Sequence, residues 1–142
     1  MAAYAVVNVR VTDPDRYAEY RDKAPDTIAR YEGKYLARGG KVGAEVSAEE
    51  GYQSARLVAL AHLASLKRAL GDLDRITAWL RVFAMVNVAP EFNQTPLVTN
   101  GYSDLILELY GPEVGAHARS SIGMMIPLNA PVNCEAEVEI NS

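Results

Sequence analysis

Ile76-Thr77-Ala78-Trp79-Leu80-Arg81-Val82-Phe83-Ala84-Met85-Val86-Asn87-Val88 is the stretch on which the fold turns. At the strand period of two, Ile76, Ala78, Leu80, Val82, Ala84 and Val86 share one face, and Trp79, Phe83 and Met85 share the other. Only Thr77 and Arg81 interrupt the second face. A strand that meets water on one side alternates apolar with polar, so two largely apolar faces predict a strand in the middle of a sheet.

The flanking segments supply the layer that covers it. Ser47 with Glu50 three residues on is a capping box, and it opens an Ala/Leu-rich helix over Tyr52 to Leu70. Ala89 to Pro96 is a loop, and Leu97 to Tyr110 is a helix ending at Gly111-Pro112. Arg119 to Ile126 and Val132 to Ile140 are strands around the turn Pro127-Leu128-Asn129-Ala130-Pro131. On the last strand Val132, Cys134, Ala136, Val138 and Ile140 face in, while Asn133, Glu135, Glu137 and Glu139 face out. Lys41 to Val46 extends or restarts a strand.

Further upstream, Tyr4 to Val11 alternates as a half-buried strand. Thr12-Asp13-Pro14 offers an N-cap and a first-turn proline, and Tyr17, Tyr20, Ala24, Ile28 and Tyr31 recur at helical spacing, with a kink at Pro25. Gly33 ends that helix, and Lys34 to Arg38 is a second strand before Gly39-Gly40. By period alone, strands alternating with helices suggest a parallel, doubly wound sheet. No Gly-rich turn joins a strand to a helix, which argues against nucleotide binding.

The 142 residues are 49% hydrophobic and 23% charged, the balance of one domain spanning 1–142. Fourteen Lys+Arg against eighteen Asp+Glu leave a net charge of -4, so no general attraction to nucleic acid is expected. Cys134, the single cysteine, has no partner for a disulfide, and with two histidines it falls short of a four-ligand zinc site. No metal or other cofactor is expected, and a reducing, cytoplasmic setting fits. Met1-Ala2-Ala3-Tyr4 lacks a basic n-region and reads as neither signal peptide nor anchor. No segment has the apolar length of a membrane span.

Gly40-Lys41-Val42-Gly43-Ala44-Glu45-Val46-Ser47, Ala69 to Arg75, Met85-Val86-Asn87-Val88-Ala89-Pro90, Asn100-Gly101-Tyr102-Ser103-Asp104-Leu105 and His117-Ala118-Arg119-Ser120-Ser121-Ile122-Gly123 together carry a resemblance. From about residue 40 to 140 the chain resembles the Rid family, the YjgF-like reactive-imine deaminases. Residues 1–40 are similar instead to the opening of an uncharacterised dimeric α+β-barrel family with a ferredoxin-like fold. The fold implied is α+β: a two-layer mixed sheet with helices on one face, Rid/chorismate-mutase-like, preceded by a ferredoxin-like βαβ unit. The chain is read as composite, with its seam at Gly39-Gly40.

Rid proteins hydrolyse imines and enamines released from amino acids. The resemblance assigns Arg119 the grip on the substrate carboxylate, for which a planar guanidinium is suited. The plain alternative is a strand-start arginine paired with a surface carboxylate. Many relatives carry a water-activating glutamate on the closing strand, and here Asn133 takes that position, with Glu135 two residues along on the same face. Asn100 matches a position bordering the site, or else caps a helix. His117 is a candidate acid or base, and Ser120 belongs to Ala118-Arg119-Ser120, which resembles the family's arginine motif. Cys134 is expected to pack inward, and His62 has no partner at helical spacing for a metal pair. The resemblance further implies a homotrimer acting on a small carboxylate-bearing molecule. A noncatalytic binding or structural module is the competing reading, and the acidic balance gives an RNA-cleaving one little support.

Overall fold

A computed structural model describes residues 39–141 and, before them, Asp13, Asp15, Arg16, Glu19, Lys23, Ala24, Asp26 and Arg30. The last seven of these are helical, where the tyrosine spacing predicts the first helix. Asp13 caps it, its Oδ1 accepting from the Arg16 N–H at 3.1 Å. The strands expected at 4–11 and 34–38 and the kink at Pro25 lie outside the described residues.

The chain divides into two compact units, Met1–Tyr35 and Leu36–Ser142. In the second, helix α1 (Ala48–Leu70), strand β1 (Ile76–Asn87), helix α2 (Thr95–Gly115) and strands β2 (Ala118–Met124) and β3 (Val132–Ile140) follow one another. The sheet order is β2-β1-β3, with β1 parallel to β2 and antiparallel to β3. The stretch 76–87 is thus the central strand among the described residues, and the sheet is mixed, as an α+β fold requires. The all-parallel arrangement that period alone suggests is ruled out by β3.

Local chemistry sets each boundary. Ser47 Oγ accepts from the Glu50 N–H at 3.1 Å and Glu50 Oε2 from the Ser47 N–H at 2.8 Å, so the capping box forms as read. Gly71, at φ 82°, closes α1 with its N–H on the Lys67 carbonyl. Helix α2 starts two residues earlier than the apolar spacing indicates, because Pro96 is tolerated in the first turn. Gly111 (φ 69°, ψ 176°) breaks it where the sequence ends it, and Pro112 begins one further turn to Gly115. The segment 41–46 is a turn, not a strand: Gly43 N–H bonds the Val46 carbonyl and Val46 N–H the Lys41 carbonyl, while Val42 alone pairs outward, its N–H on the Asn87 carbonyl and its carbonyl on the Ala89 N–H. Only Val42 bridges to the end of the central strand, at Val88.

Both helices cover the sheet face that carries Val82, Ala84 and Val86. Small residues one turn apart on α1 (Gly51, Ala55, Ala59) and Val98, Tyr102 and Ile106 of α2 are all buried in one core, with Gly51 directly against Val98. Beneath them Trp79 is buried, edge-on to Tyr102 with ring centroids 6.1 Å apart and to Tyr110 at 5.8 Å. This overturns the simple period, which puts Trp79 opposite Val82. The register slips between Trp79 and Arg81, and that irregularity turns Trp79 onto the same side as Val82 while leaving Leu80 half exposed. Truncating such a tryptophan costs about 3–5 kcal/mol. The other sheet face carries Arg81, Phe83 and Met85 beside Ser120, Ile122, Asn133, Glu135 and Glu137, none of them buried.

His62, on α1, shares a 2.8 Å hydrogen bond between Nδ1 and the buried Tyr102 hydroxyl. Burial lowers the His62 pKa from its usual 6.5. The unfolded chain therefore takes up a proton that the folded chain resists. The stability this contributes is present above pH 6.5 and is lost as pH falls through the lowered folded value. His62→Gln, which keeps an acceptor for Tyr102, should flatten the acid limb of the Tm against pH curve. An unchanged limb would assign that loss to other groups.

Candidate functional site

Only Ala116 and His117 separate α2 from β2, so the end of the helix and the start of the strand are held side by side. In the parallel register Val82 lies opposite Arg119 and Ala84 opposite Ser121. Partners in a ladder point to the same side, so Arg119 rises from the sheet toward α2. There Asn100 and Ser103, one helical turn apart, face it. Arg119 Nη2 donates to Asn100 Oδ1 at 2.9 Å and Nη1 to Ser103 Oγ at 3.0 Å. Thr95 and Thr99 extend the same seam, Thr95 Oγ1 donating to the Ser121 carbonyl at 3.3 Å and Thr99 Oγ1 meeting Ser121 Oγ.

The chain of hydrogen bonds continues through Ser103. His117 Nε2 lies 2.9 Å from Ser103 Oγ, and His117 Nδ1 lies 2.7 Å from the Gly115 carbonyl oxygen. A carbonyl only accepts, so Nδ1 carries the proton of the neutral ring and Nε2 is left to accept. Ser103 therefore donates to His117 and accepts from Arg119. These directions hold for the neutral ring with its proton on Nδ1.

Arg119 is half-buried, yet both of its partners are neutral. The side-chain ion pairs among the described residues are Arg56–Glu108, Lys67–Asp72 and Arg81–Glu137, and none involves it. A cation partly withdrawn from water without a counter-ion is costly. The N–H groups of the fork not used by Asn100 and Ser103 are the ones an incoming carboxylate would take. Cys134, on the same sheet side opposite Ala84, is buried; burial pushes its thiol up to about 12, with the charge of Arg119 pulling the other way. It packs, as expected from the strand pattern, and supplies no thiolate.

The sequence candidates divide between the two faces of the sheet. Arg119, Asn100 and His117 are brought together. Ser120 and Glu135 both lie opposite Phe83, and Asn133 lies opposite Met85, so all three sit on the uncovered face. Within one chain the sheet stands between Arg119 and Glu135. Asn100 does not cap α2: the helix starts at Thr95, and the Asn100 side chain is spent on Arg119. Ser103 is the residue that motif reading misses, although its place one turn after Asn100 carries the signal. A groove of about 310 Å³ between α1 and β3, lined by His62, Ser65, Leu66, Ala69, Ala136 and Val138, is separate from these groups. The groove is apolar except for His62 and Ser65, and offers no charged group to hold a ligand. Among the described residues no cluster of three metal-ligating side chains occurs, and no helix is long and apolar enough to cross a membrane.

The family described as "YjgF/chorismate mutase-like, putative endoribonuclease" matches residues 24–137. Its match begins inside the first segment, upstream of Gly39-Gly40. Protein TCP17 of Trypanosoma cruzi is 41% identical over 104 residues, covering 72% of this chain and 65% of TCP17. The crystal structure of Atu1372, a protein of unknown function from Agrobacterium tumefaciens, is similar with a TM-score of 0.71 and 40% identity, covering 73% of this chain and 66% of that one. A "putative endoribonuclease" from Shewanella oneidensis MR-1 gives a TM-score of 0.69 at 35% identity, over 76% of this chain and 71% of that one. This chain thus spans about two thirds of the length of TCP17 and of Atu1372. Two helices on one face of a mixed sheet, and a match running from residue 24 to 137, place the chain in the YjgF/chorismate mutase-like family that its arginine motif resembles.

Proposed function

We propose that the chain binds a 2-imino acid by its carboxylate at Arg119 and hydrolyses it to the 2-oxo acid and ammonia. The observation that carries this reading is the half-buried guanidinium held by two neutral acceptors, with no carboxylate paired to it among the described residues. Such a group is oriented for an anion and short of one. Once the carboxylate is held, the adjacent C=N carbon is fixed within a small volume, which favours attack by water. Titration with 2-oxobutanoate, a product-like carboxylate, tests the grip. Wild type should bind it and Arg119→Ala should not; equal binding by both would overturn the reading.

One observation favours a second reading, a noncatalytic carboxylate-binding module. Asn133 and Glu135 lie across the sheet from Arg119, so the closing strand brings no acid to the arginine of its own chain. Binding of 2-oxobutanoate without turnover of imines would decide for it.

The resemblance also implies a homotrimer. Phe83, Met85, Ile122 and Met124 on the uncovered sheet face are apolar area that such an assembly would cover. The expected solution mass is three times the 15.5 kDa chain, and a monomer at micromolar concentration would contradict it.

A further inference from the structure

The proposed hydrolysis needs a group that takes a proton from water and returns it to nitrogen, and the acid usual on the closing strand is replaced by Asn133 on the other face. We infer that Ser103 and His117 are that group, a relay in which the Ser103 hydroxyl meets the water and His117 stores the proton; the inference rests on the imine reading of the Arg119 site.

Three features of the geometry support it. Ser103 Oγ touches Arg119 and His117 at once, at 3.0 and 2.9 Å, so the relay stands beside the carboxylate grip. The Gly115 carbonyl holds the proton of neutral His117 on Nδ1 at 2.7 Å, which leaves Nε2 as the acceptor, the tautomer a base requires. The Arg119 N–H on Ser103 Oγ stabilises negative charge developing there while the proton is in transit. Hydroxyl, imidazole and a carbonyl that orients it meet the geometric test for an activated oxygen.

The step balances as follows. Water oxygen bonds to the C=N carbon, and the π pair moves to nitrogen. One water proton passes to Ser103 Oγ as the Ser103 proton moves to His117 Nε2; by the reverse path a proton reaches the nitrogen, giving the neutral carbinolamine. Its hydroxyl proton then travels the same route to the amine, the C–N bond breaks, and ammonia leaves as the carbonyl forms. No oxidant or further reactant is needed.

The test follows the decay of 2-iminobutanoate generated in situ, with kcat and KM measured for wild type, Arg119→Ala, Ser103→Ala, Ser103→Thr and His117→Gln, each checked for folding by circular dichroism. Gln keeps a hydrogen-bonding group for Ser103 but takes up no proton, and Thr keeps the hydroxyl. The relay predicts a kcat about 10²-fold lower in Ser103→Ala and His117→Gln, with KM little changed and Ser103→Thr partly restored. Wild-type kcat in His117→Gln, with Arg119→Ala inactive, would overturn the relay alone and leave His117 a structural support. No acceleration by wild type, or no loss in Arg119→Ala, would overturn the imine reading and the relay with it.

Discussion

Alanine in place of Gly101 is expected to lower the Tm by on the order of 10 °C, since of the glycines described it is the one whose added Cβ meets the tightest contact. In an unobstructed helix the same change would stabilise by about 1 kcal/mol, because glycine gives up more backbone freedom on folding. Here the added Cβ would overlap the Tyr52 carbonyl oxygen and stand 2.9 Å from the carbonyl carbon and 3.2 Å from the Arg56 nitrogen. All of these are backbone atoms inside α1, so no side-chain rotation relieves the overlap. The helices must separate, and the Gly51, Ala55 and Ala59 stripe loses contact with Val98 and Tyr102. Overpacking of this kind costs about 3 kcal/mol or more. The Arg56–Glu108 ion pair and the Tyr52–Asp104 hydrogen bond, which also join α1 to α2, are exposed and offset little of it. Thermal unfolding of Gly101→Ala measures the effect, and an unchanged Tm would mean that α1 and α2 do not approach so closely. Because α2 also carries Asn100 and Ser103, any folded Gly101→Ala protein should bind carboxylate more weakly.

Sequence patterns were informative where one local rule dominated. The capping box at Ser47, the break at Gly111-Pro112 and the polarity of the last strand all follow from short-range chemistry; the structure has the first two in full and the third over 132–138, with Ile140, expected to face in, exposed at the strand end. Two readings fail because alternation of apolar residues does not encode a bulge or a turn. Trp79 is on the helix side only because β1 slips register between Trp79 and Arg81, and alternation carries no mark of a bulge. Residues 41–46 have the composition of a strand, but the turn hydrogen bonds around Gly43 leave only Val42 to pair with the end of β1. The candidate site was half legible. The arginine motif pointed to Arg119, with Asn100 and His117 near it. Sequence alone does not give the register between strands, and so does not separate Asn133 and Glu135 from an arginine on the opposite face. Ser103 went unread because a serine inside a helix has an ordinary structural use.

Removing the guanidinium is the second large effect. Arg119→Ala should reduce the rate of imine hydrolysis by about 10³-fold, since two hydrogen bonds to a charged carboxylate together account for about 3–5 kcal/mol. Arg119→Lys should recover little, because an ammonium offers a point charge where a fork is needed and does not reach Asn100 and Ser103 together. Stability should change far less than activity. The arginine is only half-buried, and its loss leaves behind two neutral groups, half-buried Asn100 and buried Ser103, the latter still hydrogen-bonded to His117, in place of an unpaired charge.

The central claim is that Arg119 holds a 2-imino acid for attack by water. Its most direct measurement is the rate at which 2-iminobutanoate, released in situ, disappears with wild type, with Arg119→Ala and in buffer alone. The account predicts clear acceleration by wild type and decay at the buffer rate with Arg119→Ala; wild type no faster than buffer, or Arg119→Ala as fast as wild type, would contradict it.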